Sequence, residues 1–100
     1  MPKLSADETH IWTVEDFLAE HPEIAHLRPR KRGDTITLES GPKTDPVPHG
    51  RVRRVTTQWW SIELPDHRGR WGEASFERKT LRQTLEVLHR DFPWALTPRV

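Results

Sequence analysis

Two residue types in this chain are arranged so that they could bind something: arginine and tryptophan. Arg28-Pro29-Arg30-Lys31-Arg32 places four cations in five residues, Arg51, Arg53 and Arg54 open a later stretch, and Arg68 and Arg70 follow at a turn. Trp59 and Trp71 lie between and beside them. Guanidinium forks match phosphate oxygens and indole faces stack on unpaired bases, a combination that suits single-stranded nucleic acid. Arg and Trp also dominate protein–protein interfaces, so the same set suits a protein partner. The candidate binding residues are Arg28, Arg30, Lys31, Arg32, Arg53, Arg54, Trp59, Arg70 and Trp71.

Other chemistry finds little support in the spacing. The six histidines (His10, His21, His26, His49, His67, His89) are scattered, and Pro22 breaks helical register between His21 and His26. They read as solvated side chains, with His49 and His67 in loops. There is no cysteine and no His-x-x-x-His on one helix, so no metal ligand set emerges. Ser5, Ser40, Ser61 and Ser75 lack a Gly-x-Ser-x-Gly setting, and no Gly-rich loop opens a helix. Glu63 and Glu73 face each other across a predicted hairpin, where a close carboxylate pair could share a proton. Two exposed acids with mild repulsion account for them more simply. The expectation is a non-catalytic protein with no metal or other cofactor.

Charge is split along the chain although its net value is only +1. Residues 1–26 balance at −5 and residues 27–55 at +5. Either the two segments face each other in the fold or they form complementary patches for a partner. A dedicated polyanion binder is usually far more basic. A protein-interaction module is therefore the leading expectation, its partner a second copy (a homodimer) or another protein, and nucleic acid is the alternative. No apolar run approaches the roughly 20 residues of a membrane span, so no membrane partner is expected. Met1–His10 carries Asp7 and Glu8 and no apolar stretch, unlike a signal peptide. The lack of cysteine fits a reducing cytosol, and a cytoplasmic location is expected.

The elements that must hold these residues follow from periodicity. The 100 residues suffice for a single small domain, 1–100, and although 31% are charged, five Trp and three Phe supply bulk for its core. Residues 1–8 read as a loose start. Thr13-Val14-Glu15-Asp16 resembles a capping box, and Val14, Phe17 and Leu18 share a helical face. Ser40–Gly50 holds three Pro and two Gly in eleven residues and reads as an extended loop. Thr35–Leu38, Arg51–Thr57 and Trp59–Leu64 read as strands. Asp66-His67-Arg68-Gly69 suits a type I turn with a left-handed fourth residue, which sets Ile62 opposite Ala74, Leu64 opposite Gly72 and Trp60 opposite Phe76. Thr80 and Gln83 form a capping box ahead of Leu81, Leu85, Leu88 and Phe92. The fold expected is α+β: about four antiparallel strands in a meander, with an N-terminal and a C-terminal helix packed on one face.

From about Gly33 to Phe92 the chain resembles a family of short uncharacterised bacterial proteins, a domain of unknown function. A polar strand, a Pro-rich loop, Arg/Thr-rich residues entering an aromatic strand, the Arg70-Trp71 pair and a Leu-rich helix ending near Asp91 carry the resemblance. It implies no activity and no ligand.

Overall fold

A computed structural model describes residues 5–74 and 79–97. Helix α1 (Glu8–Ala19) and a 3-10 turn (Pro22–Ile24) precede strands β1 (Arg28–Arg32), β2 (Thr35–Ser40), β3 (Val47–Arg54), β4 (Trp60–Pro65) and β5 (Trp71–Glu73). Helices α2 (Leu81–Asp91) and α3 (Pro93–Leu96) follow. The strands form an antiparallel sheet in sequence order, so the fold is α+β, with five strands among the described residues where about four were expected.

The additional strand is the cation run itself. Arg32 pairs with Thr35 across a two-residue turn, and Gly33 supplies the positive φ of 59° that such a turn needs at its first position. Charged side chains and a proline suit an edge strand, which they protect from pairing with other chains.

Helix α1 begins well before Thr13. Asp7 is its cap: the Asp7 carboxylate accepts from the amides of Thr9 and His10, and the Asp7 amide donates to His10 Nδ1 at 3.0 Å. The Thr13 hydroxyl instead donates back to the Thr9 carbonyl at 3.1 Å, as a mid-helix threonine does. Ala6, within the stretch expected to be loose, is buried and its amide donates to the Gly33 carbonyl at 2.9 Å, while residues 1–4 lie outside the described residues.

The Pro/Gly loop is shorter than Ser40–Gly50, because β2 runs to Ser40 and β3 starts at Val47. Strand β3 ends at Arg54 rather than Thr57. The Val55 and Thr56 amides both donate to the Trp59 carbonyl, closing a turn. The β4–β5 hairpin has the register its turn dictates, with Leu64 opposite Gly72 and the Ala74 amide on the Ile62 carbonyl at 2.8 Å. Phe76 lies outside the described residues. Trp60 pairs through its backbone with Lys79.

One cluster forms the core. Val14, Phe17 and Leu18 of α1 meet Ile36, Leu38, Val52, Trp60 and Ile62 of the sheet and Leu81, Leu85 and Leu88 of α2. The Thr80–Gln83 capping box sets the start of α2, whose apolar stripe then falls on the sheet. Gly50 of β3 lies beneath that stripe: a Cβ there would be 3.7 Å from Leu88 of α2 and 3.3 Å from Leu64 of β4.

Candidate functional site

Strand alternation sends one set of side chains into this core and the other set to the opposite face of the sheet. Cross-strand partners define that opposite face: Arg28 with Glu39, Arg30 with Thr37 and then Arg51, Arg32 with Thr35 and then Arg53. Arg51 continues to Glu63 and Glu73, and Arg53 to Ser61. Five arginines thus share a face whose alternate positions, not these, join the helices in the core.

Acidic residues divide them. Glu63 takes Arg51 Nε and Arg53 Nε, the latter at 3.1 Å. Arg53 Nη1 reaches both oxygens of Asp34 at 3.0 and 2.9 Å. Glu39 lies 3.7 Å from Arg28 and 3.9 Å from Arg30. Burial pushes the Glu63 carboxyl upward, but the hydrogen bonds and charges of Arg53 and Arg51 outweigh it and hold it below its ordinary value. Its bonds to Glu63 and Asp34 raise Arg53 against the opposing effect of burial. Thr35, Glu39 and Ser61 are buried on this face, flanked in register by the long arginine stems.

The nine candidate residues do not form one patch. Arg28, Arg30, Arg32 and Arg53 lie on the face that none of the described helices covers, the uncovered face among the described residues, and the half-buried Trp71 joins them through Arg51, whose guanidinium lies 4.4 Å from its ring centroid. Lys31 is on the helix side, 3.7 Å from Glu8. Arg54 also turns to that side, where it donates to the carbonyls of Ser5 and Thr57. Arg70 stays at the hairpin turn, 3.5 Å from Asp66. Trp59 sits exposed at the foot of β4.

Arg51, Glu63 and Asp34 complete the face and were absent from the candidate set. The i, i+2 spacing of Arg51 and Arg53, and the Gly33-Asp34 turn signal, were the clues to them. Trp12 is 59% exposed on α1, on a turn that a helix starting at Thr13 does not contain.

The histidines are less solvated than their spacing suggests. His49 is fully buried: the register shift opposite Leu38 and Glu39 turns its ring inward. Its Nδ1 bonds the Ala95 carbonyl at 2.9 Å and its Nε2 the Ser40 hydroxyl at 2.7 Å. Ser40 and His49 are at the separation of a nucleophile and its base, yet the ring is sealed from solvent and its Nδ1 meets a backbone carbonyl rather than a carboxylate. Such a pair ties α3 to the sheet. His26, in the turn before β1, also holds α3, its Nε2 bonding the Leu96 carbonyl at 2.9 Å. Among the described residues no group of three or more His, Asp or Glu is placed to hold a metal ion. Glu63 and Glu73 are cross-strand partners, but Glu63 is engaged by arginines.

No protein-family model, no curated protein and no solved structure matches the chain.

Proposed function

We propose that the chain is a non-catalytic protein-interaction module that docks through the uncovered face of its sheet and self-associates. The observation that carries this reading is the mixture of charge on that face. Five arginines are interleaved with Glu39, Glu63 and Glu73, and Asp34 closes on Arg53. A polyanion gains most from cations with no acid beside them, whereas a protein surface can match an alternating pattern. Arg32 and most of Arg30 reach solvent, and Trp71 adds an aromatic edge. Among the described residues no helix is long and apolar enough to cross a membrane. The absence of cysteine keeps the cytoplasm as the proposed location. Sedimentation of wild type against an Arg30→Glu/Arg32→Glu double variant tests the reading. Wild type should exceed 11.8 kDa and the variant should return to it. Equal association by both would remove the sheet face as the docking surface.

Nucleic-acid binding is the second reading. It is favoured by Arg28, Arg30 and Arg32, which stand on one side of an edge strand at alternate positions, as contacts along a phosphate backbone would. In a titration with a labelled single strand, affinity should then fall with salt at a log–log slope of about −0.7 per phosphate contact. No binding at low salt would dispose of it.

A further inference from the structure

A second charged surface lies on the other side of the molecule. Val14, Phe17 and Leu18 bury one stripe of α1, and helical geometry places Trp12 at the middle of the opposite stripe. Glu8 precedes Trp12 by four residues, and Glu15 and Asp16 follow it by three and four, so all three surround the indole. Trp12 is 59% exposed. Glu15 and Asp16 are exposed and enter no ion pair among the described residues. An indole ringed by carboxylates repels phosphates and anionic lipids. It fits a cationic surface, above all guanidinium groups, which bind carboxylates in forks and lie over indole faces.

The chain carries such a surface itself. Resting on the reading of the sheet face as a docking surface, we infer that its occupant is the acidic, Trp12-centred face of α1 from a second copy. Arg32, exposed and without an ion pair among the described residues, and Arg30, 59% exposed, are the cations available to Glu15, Asp16 and Trp12. The near-neutral net charge of +1 leaves little overall repulsion between copies.

Geometry adds a consequence. The two faces are separate surfaces of one molecule that meet at the β1 edge, where Glu15 and Arg28 line one cavity, so each copy offers a helix face to one neighbour and a sheet face to another. Head-to-tail contacts of this kind need not close at two copies. The species formed should grow with concentration and shrink with salt, which screens the exposed charges.

Complementation between variants tests this. One variant, Glu15→Lys/Asp16→Lys, spoils only the helix face; another, Arg30→Glu/Arg32→Glu, spoils only the sheet face. An Arg30→Gln/Arg32→Gln variant repeats the second arm without placing a new acid beside Glu39, and circular dichroism checks that each is folded. Light scattering should show wild type growing past two copies and each variant alone associating at least about tenfold more weakly. An equal mixture of the Glu15→Lys/Asp16→Lys variant with the Arg30→Gln/Arg32→Gln variant should form a one-to-one pair of twice 11.8 kDa that grows no further, since each partner keeps one intact face and the glutamines add no acid for the new lysines. If the helix-face variant associates like wild type while the sheet-face variants do not, the inference fails and the sheet-face reading survives. If wild type stays at 11.8 kDa at every concentration, both fail.

Discussion

Arg51 lies over the indole of Trp71, its guanidinium carbon 4.4 Å from the ring centroid, while its Nε bonds Glu63. One side chain therefore joins β3 to the short strand β5, which pairs with β4 and not with β3. The contact also occupies one face of the Trp71 indole that base stacking could use.

A double-mutant cycle measures this link. Arg51→Ala and Trp71→Ala should show a coupling of about 0.5–1 kcal/mol in urea melts, the range of a partly exposed cation–π pair. Additive effects would mean the two side chains do not touch in solution.

His49→Ala should cost about 2–4 kcal/mol, because it opens a cavity and leaves the Ala95 carbonyl and Ser40 hydroxyl without their partner. His67→Ala, in the exposed turn, should stay within about 0.5 kcal/mol. Denaturant melts that rank the two equally would contradict the buried placement of His49.

Leu85 is 1% exposed in the cluster that joins α2 to the sheet. Leu85→Ala should cost about 2–5 kcal/mol. A loss below about 0.5 kcal/mol, the scale of a surface change, would show that α2 does not dock there.

Elements fixed by apolar periodicity or turn chemistry were readable from the residues alone. Leu81, Leu85 and Leu88 point at the core as their spacing requires, and the Asp66–Gly69 turn sets the β4–β5 register. What could not be read this way was structure that polar residues build through partners distant in sequence. Strand β1 has no apolar alternation, and only its pairing with β2 makes Arg-Pro-Arg-Lys-Arg a strand. His49 looked like a loop residue until a register shift turned it under α3. At the candidate site, the arginines were visible as a set but their sides were not. Arg53 and Arg54 are neighbours in the sequence, and strand alternation sends one to Glu63 and the other to the Ser5 carbonyl.

Stability should fall in two stages on acidification. Burial, aided by the Arg54 charge, holds His10 below its ordinary value of 6.5 despite the opposing charge of Asp7. The folded protein thus keeps a neutral imidazole where the unfolded chain already takes up a proton. Its contribution is complete above 6.5 and is lost as pH drops through the lower folded value. The structural reason is the cap of α1, where His10 Nδ1 must accept from the Asp7 amide and a protonated ring cannot. Glu63 has the same sign further down, with stability present above its ordinary 4.5 and lost as its depressed folded value is crossed. Exposed Asp7, Glu20 and Glu23 add smaller losses in that lower range. Replacing His10 with Gln, the usual acceptor at this position of a capping box, should flatten the upper stage, which sets in as pH falls below 6.5, and leave the lower one. Glu63→Gln should blunt the lower stage and leave the upper. Urea melts across pH decide it: an upper slope unchanged by His10→Gln would show that the decline has another source.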